Sequence, residues 1–334
     1  MLVKPSTSLK TQPSPSSNNY KTMKIRLLTT LFLSFSFLAS AKEKAPDLTA
    51  LKHPVKTALW KVEGKGLKKP SYLFGTIHLG DPRVTTLHPN AEKAFKASDH
   101  FYAEIDLDPA KQMAMAAKVM RTDGKTLSAS IGPKLSKQLN QALKDVNPAL
   151  DSTPFESMKT WVIGTMIPVL EMQLSGKKAL DVVLYERAQK DKKVVGALET
   201  ADSQLKIFDD LKEEEQVALL KSTLDEIAKE KKAGKNSMKD LLDLYLTGSV
   251  PEIGVFMQKM MSKTTEDHKE LSEKLIKKIF TDRNISMAET IAKNLAANPE
   301  SSHFFAVGTG HYTSETAIQT LLEKEGYNIT PLFE

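Results

Sequence analysis

The chain has 334 residues, 26% of them charged, with seven histidines and no cysteine, which excludes disulfides, thiolate metal sites and thiol nucleophiles. Its formal net charge of +6 comes mainly from residues 1–41, which hold five Lys or Arg and no Asp or Glu and leave 42 basic against 41 acidic residues. The rest of the chain is therefore nearly neutral, which argues against a nucleic-acid partner.

The N-terminus predicts export. Residues 23–26 give a basic start, residues 27–39 a short apolar core, and Ala39-Ser40-Ala41 an A-x-A cleavage site. We therefore expect a signal peptide over residues 23–41, cleavage after Ala41, and a periplasmic or secreted protein.

Residues 1–22 precede a more natural start at Met23, and we interpret them as a mis-assigned or disordered leader. The apolar core of the signal is shorter than the roughly 17 to 25 residues of a membrane-spanning helix, and no later stretch reaches that length without charge. We expect residues 42–334 to form a single domain with no membrane span.

Strand-like segments lie towards both ends of this domain. Alternating or β-branched apolar runs occupy residues 58–62, 72–77, 100–107, 193–198, 303–307 and 327–333. The first two are expected to form a hairpin, and a helical pattern over residues 314–324 separates the last two. The pattern predicts an α/β (α+β) fold with one mixed central sheet built from the N- and C-terminal parts.

The middle of the chain has helical periodicity. Apolar residues recur three or four positions apart, as in Leu135, Leu139 and Leu143, and Pro168 is expected to kink a helix. We interpret residues 109–295 as a large helical cap or insertion.

Two strand-like runs end in the same Gly-x-x-His motif, Gly75-Thr76-Ile77-His78 and Gly308-Thr309-Gly310-His311. Glycine permits a tight or left-handed turn, and ligand crevices of α/β sheets lie at the carboxyl ends of strands. The two motifs lie at opposite ends of the domain, so only the fold could join them. We predict one site that contains both His78 and His311.

Carboxylates follow two further strand-like runs. Tyr102, Glu104 and Asp106 share one face of a strand, where a buried carboxylate must be paired, protonated or bound to a metal ion. Glu199 ends the next run, and it is either a site residue or a carboxylate at a helix N-terminus. On residue type alone, Asp181 is a helix cap and Arg283 a surface residue.

The blocks GTIHLGD, FYAEIDLD, GALET, DRNISMAETI and VGTGH resemble the TraB/PrgY/GumN family, which is related to the Tiki metalloproteases and more distantly to erythromycin-esterase-like and ChaN-like proteins. The resemblance extends over nearly all of residues 55–334. It places the family's functional positions on His78, Glu104, Glu199, Arg283, Asn284 and His311, with Asp181 matching the Leu-Asp that precedes the GALET block.

The resemblance implies a hydrolase of peptide or amide bonds, because Tiki proteins act as metal-dependent proteases on secreted polypeptides. We expect His78, His311 and Glu104 to bind one divalent ion, Mn, Fe, Co or Zn, with an open position for water. Glu199 is then a general base or a partner that orients a histidine, and Arg283 stabilises an oxyanion or holds a substrate carboxylate. We expect Asn284, Tyr102 and Asp181 to contact the peptide or small-molecule substrate.

Two other functions stay open at this point. In a metal-free hydrolase, a histidine would activate water as general base, with Glu104 or Glu199 setting its tautomer. A binding protein would instead capture a peptide or a small ligand such as haem without turnover. The sequence leaves the substrate, the metal and the oligomeric state undetermined.

Overall fold

A mixed sheet organises residues 47–264 and 269–334, the part of the chain that this computed structural model describes. Within these ranges its strands are β1 Leu59–Glu63, β2 Ser71–Thr76, β3 His100–Ala103, β4 Val194–Ala197, β5 His303–Gly308 and β6 Asn328–Pro331. Their order across the sheet is β4-β3-β5-β2-β1-β6. The predicted leader, signal peptide and cleavage site lie outside the described residues.

The pairing of the strands brings four carboxyl ends to one edge of the sheet. β4, β3, β5 and β2 are parallel neighbours, whereas β1 is antiparallel to both β2 and β6. β5, from the far end of the chain, lies between β2 and β3, with Phe304 opposite both Tyr72 and Phe101. This topology confirms the predicted mixed sheet and the predicted hairpin.

Helices surround the sheet and fill most of the region between β3 and β5. They are α1 Pro82–Thr85, α2 Pro89–Ala97, α3 Pro109–Lys118, α4 Leu127–Val146, α5 Thr160–Met166, α6 Leu170–Leu174, α7 Leu180–Lys190, α8 Ala201–Asp209, α9 Glu213–Lys232, α10 Ser237–Thr247, α11 Val250–Thr264, α12 Lys269–Ile276, α13 Asp282–Ala297 and α14 Ile318–Lys324. The described residues from Asp47 to Glu334 form one compact unit. Among them, no helix is both long and apolar enough to cross a bilayer.

Irregular helical turns join two pairs of consecutive helices directly. Pro168 lies in a 3₁₀ turn, Ile167–Val169, that separates α5 from α6, as its missing N–H requires. A π-helical turn, Lys277–Thr281, joins α12 to α13. The predicted insertion over residues 109–295 stays a prediction, and it contains β4, which belongs to the central sheet.

Both faces of the sheet are buried because its central strands are apolar on both sides. Neighbouring residues Phe304 and Phe305 of β5 point to opposite faces and are each fully buried. Phe304 packs with residues of α2 and α7, including Phe95 and Leu184. Phe305 belongs to the cluster that contains Met287 of α13. Packing on both faces holds β5, and the second Gly-x-x-His motif at its end, in the centre of the sheet.

Gly196 of β4 gives a test of this packing. Gly196 pairs with Tyr102, and a Cβ at position 196 would lie 2.5 Å from Tyr102 Cε1. We expect Gly196→Ala to lower the free energy of unfolding by about 1 to 3 kcal/mol, because the ring must move within a packed core. Urea denaturation measures this change.

A matched control is Gly164→Ala in α5, where the nearest atom to an added Cβ is Leu220 Cα at 3.4 Å. Alanine favours a helix over glycine by about 1 kcal/mol, so this variant should be as stable as the wild type or more stable. Equal losses in the two variants would contradict the packing of Tyr102 on Gly196.

Candidate functional site

His78, Glu104 and His311 meet at the carboxyl edge of the sheet, just after β2, β3 and β5. Glu104 Oε1 lies 3.9 Å from His78 Nε2 and 4.0 Å from His311 Nε2. One carboxylate oxygen therefore faces both imidazoles. The insertion of β5 between β2 and β3 produces this arrangement, because it places the ends of the two motif strands side by side.

The other nitrogen of each imidazole has its own partner. His78 Nδ1 lies 2.8 Å from Asp181 Oδ2, and the second oxygen of Asp181 accepts a 2.6 Å bond from the Thr76 hydroxyl. His311 Nδ1 bonds to Asn284 Oδ1. Because carboxylate and amide oxygens only accept, both Nδ1 atoms carry hydrogen and donate. Each Nε2 atom is thereby directed towards Glu104.

Glu104 is held from two sides. The Gly308 N–H donates a 2.7 Å bond to Glu104 Oε1, and Arg283 Nη2 donates to Glu104 Oε2. Arg283 also donates to both oxygens of Glu199, at 2.8 to 3.0 Å. The Glu104, Glu199 and Arg283 side chains are only 9%, 5% and 13% exposed. One buried guanidinium therefore bridges and positions two carboxylates.

These charges set different protonation states for the site residues. Burial by itself would raise the pKa of Glu104, but the two imidazoles, the Arg283 guanidinium and the Gly308 N–H lower it to about 2. Burial lowers the pKa of His311 to about 4. The Asp181 carboxylate raises the pKa of His78 well above its ordinary value. At neutral pH, Glu104 is thus ionised and His311 is neutral, and His78 carries a proton on both ring nitrogens unless a bound ion displaces the one on Nε2.

Exposure also differs between the two histidines. The His78 side chain is 64% exposed, whereas that of His311 is 5% exposed. The site therefore opens to solvent over His78, and His311 forms its buried wall.

The start of α13 supplies both Arg283 and Asn284. Asn284 is fully buried because it lies on the same helical stripe as Met287, Ala288 and Ile291. The π-helical turn directly precedes these residues, and Arg283 Nη1 donates to the Ile279 carbonyl within it at 3.3 Å. π-helical turns often occur at functional sites. An amide on the apolar stripe was the sequence signal for a buried hydrogen-bonding role of Asn284.

The motif glycines serve close packing, which differs from the expected left-handed turns. Gly75 lies within β2, and Gly308 has φ −52° and ψ 134°, a conformation open to any residue. A Cβ at Gly75 would lie 2.8 Å from Thr309 Oγ1. A Cβ at Gly308 would lie 3.1 Å from Glu104 Oε1 and 3.5 Å from His78 Nε2. Gly308 thus leaves open the space between the imidazoles and the carboxylate.

The described residues contain no group of three or more His, Cys, Asp or Glu arranged as a ready metal site. Ligands at about 2.1 Å from one ion lie about 3.0 to 3.5 Å apart, slightly less than the 3.9 and 4.0 Å found here. The two imidazoles and the carboxylate are nevertheless a donor set that suits Mn, Fe, Co or Zn. Together with the space beside Gly308, they fit a divalent ion after a small inward shift.

The three residues predicted to contact a substrate are all buried. Tyr102 is 8% exposed, and its ring stacks on Phe305 with centroids 5.1 Å apart, so it is a core residue. Asp181 and Asn284 are buried and bond to the site histidines. Both side chains are engaged with imidazoles, and their predicted contacts with a substrate stay predictions.

Glu199 and Arg283 pair with each other. Both oxygens of Glu199 accept bonds from Arg283, and its predicted role as a general base stays a prediction. Glu199 orients the guanidinium and contacts no histidine in these bonds. Arg283 is directed at Glu104 and Glu199, and its predicted role towards an oxyanion or a substrate carboxylate stays a prediction.

Comparison with known proteins gives a family and distant relatives. The model of the TraB/PrgY/gumN family matches residues 58–331, which include every site residue named above. No solved structure matches the chain.

The relatives include animal and bacterial proteins. The metalloprotease TIKI homolog of Nematostella vectensis is 25% identical, with 86% of this chain and 69% of the relative covered. Metalloprotease TIKI2 of Danio rerio is 25% identical, covering 91% and 67%. An uncharacterized protein of Treponema pallidum (strain Nichols) is 21% identical, covering 79% and 80%. The chain spans about two thirds of the length of these two animal relatives. On the family match, the chain belongs to the TraB/PrgY/gumN family.

Proposed function

We propose that this protein is an exported metal-dependent peptidase in which His78, His311 and Glu104 hold one divalent ion. The convergence of both Nε2 atoms on one oxygen of Glu104 carries the proposal. The names of the animal relatives, which describe metalloproteases, support it. The substrate class is a peptide or a small molecule with an amide bond.

In this proposal, the bound ion would acidify a water molecule and polarise the carbonyl that the water attacks. The protein's residues would keep the donors in place. Asp181 and Asn284 accept the Nδ1 hydrogens, so that Nε2 of each ring faces the site, and binding of the ion would displace the Nε2 proton of His78. Arg283 and Glu199 fix Glu104 by its other oxygen. Solvent and substrate would approach over the exposed His78 ring.

Metal analysis of purified protein, prepared without chelators or affinity metals, tests this function. We expect about one transition-metal ion per chain, because His78, His311 and Glu104 supply the three protein ligands typical of a catalytic site. The His78→Ala/His311→Ala variant should lose the ion. Peptide hydrolysis should disappear after chelation and return with Mn, Co or Zn.

The matched control is His53→Ala, since His53 Nδ1 bonds to the Pro54 carbonyl, away from the three predicted ligands. This variant should retain metal and hydrolysis. A wild-type protein that stays metal-free even after reloading would reject the proposal.

One observation favours a second candidate, a metal-free hydrolase. The exposed His78 bonds to Asp181 at 2.8 Å, an arrangement in which a carboxylate orients a histidine, and the raised pKa of His78 would confine its action as a general base on water to alkaline pH. Turnover that is insensitive to chelators and absent in Asp181→Asn would select this mechanism.

Gly308→Ala tests whether the space beside the donors belongs to the ion. The backbone at 308 suits alanine, but the methyl group would lie 3.1 Å from Glu104 Oε1. We expect metal affinity to fall by about tenfold or more, within the range found for altered metal surroundings. Titration calorimetry with Mn²⁺ measures the metal affinity. In urea denaturation, the free energy of unfolding should fall by no more than about 1 to 3 kcal/mol. Unchanged affinity would show that the ion does not use this space.

Glu199→Gln tests the positioning of Glu104. Without the second carboxylate, Arg283 should pair more fully with Glu104 and compete with the ion, so we expect about tenfold weaker metal binding. The free energy of unfolding should fall by about 1 to 3 kcal/mol, because Arg283 keeps one partner. Calorimetry and urea denaturation measure the two effects.

The control is Glu186→Gln, which breaks the exposed ion pair with Lys178. Exposed pairs contribute about 0 to 1 kcal/mol, so this variant should match the wild type closely in stability and metal affinity. Wild-type metal affinity in Glu199→Gln would argue against a positioning role for Glu199.

A further inference from the structure

Two apolar side chains form a wall beside His311. Met257 of α11 and Phe280 of the π-helical turn both pack against Gly310: a Cβ there would lie 2.9 Å from Met257 Cε and 3.0 Å from Phe280 Cε1. The Phe280 ring centroid lies 5.4 Å from that of His311. Gly310 thus brings the wall close to the site.

Met257 and Phe280 are each only partly buried, whereas Gly310 and His311 are buried. Both apolar residues are therefore partly open to solvent. The site thus combines the polar pair of His78 and Asp181 with apolar neighbours of His311 and Gly310.

The contact between α11 and the segment of residues 308–313 does not depend on Met257 alone. α11 also meets this segment through Gly254, where a Cβ would lie 2.6 Å from Thr313 Cβ. Asn284 separately holds the His311 ring. Large apolar groups left in contact with water beside a polar cluster are typical of ligand-binding grooves, and methionine adapts to different shapes.

We propose that Met257 and Phe280 form a subsite for an apolar side chain of the substrate, of the Leu, Met or Phe class, next to the bond that is cleaved. Burial of such a side chain against the wall removes apolar surface from water on both partners. The proposal rests on the peptidase function proposed above and adds the substrate class.

Digestion of a mixed peptide library, with cleavage sites identified by mass spectrometry, tests the subsite. We expect apolar residues to be enriched about tenfold at one position flanking the cleaved bond, within the range for apolar pocket discrimination. Met257→Ser and Phe280→Ser should each reduce this enrichment to about threefold or less, on the same scale. Met113→Ser, which changes a 76% exposed methionine on α3, should keep the wild-type preference.

Thermal unfolding and circular dichroism establish that each variant is folded. Met257→Gln, which keeps the side-chain length, decides the proposal if Phe280→Ser does not fold. A wild type without apolar preference, or a preference that survives in the folded Met257 and Phe280 variants, overturns the subsite.

A binding measurement separates failure of the subsite from failure of the peptidase function. Titration of Mn²⁺-treated protein compares L-leucine hydroxamate with glycine hydroxamate. About tenfold tighter binding of the leucine compound, lost in Met257→Gln, supports the subsite even if no library peptide is cleaved. Equal binding of the two compounds overturns the subsite alone, whereas no binding of either overturns the metal-dependent function and the subsite with it.

Discussion

The candidate site depends on one buried ion cluster, in which Arg283 lies between Glu104 and Glu199. Two carboxylates that are removed from water at the ends of β3 and β4 would repel each other and lose their hydration. The guanidinium offsets both effects and, because it is planar, fixes their orientation as well. The cluster also joins the sheet edge to α13, so the position of Glu104 and the packing of that helix depend on each other.

The two histidines have equivalent motifs but different environments. His78 is exposed and bonds to a carboxylate, whereas His311 is buried and bonds to a neutral amide. A carboxylate partner favours a protonated ring, and burial disfavours one. The same residue type therefore supplies a solvent-facing ring on one side of the site and, on the other, a ring that is neutral at physiological pH. This asymmetry suits a site that must admit water and still hold its donors rigidly.

Two glycines determine which side chains can approach the site. Gly308 has no side chain where the imidazoles and Glu104 converge, and Gly310 admits Met257 and Phe280 beside His311. Gly308 thus leaves room at the polar centre, and Gly310 leaves room for the apolar side chains beside it. In the relatives whose names describe metalloproteases, coverage extends over most of this chain at about 25% identity. Similarity at this distance supports the proposed peptidase reaction. Any substrate preference would depend on the residues around the centre.

The sequence determined the strands, the hairpin, the helix α14 between the last two strands and the pairing of the two motifs. Each follows from local periodicity or from a repeated motif. It also identified Glu104 as a carboxylate that needs a partner in a buried strand. It did not determine which partner. Asp181, Asn284, Glu199 and Arg283 contact residues 27 to 179 positions away, and Tyr102 lies in the core beside Gly196. Only the tertiary structure decided these contacts, because they depend on the insertion of β5 between β2 and β3 and on the packing of α13 against the sheet, neither of which leaves a local signal in the chain.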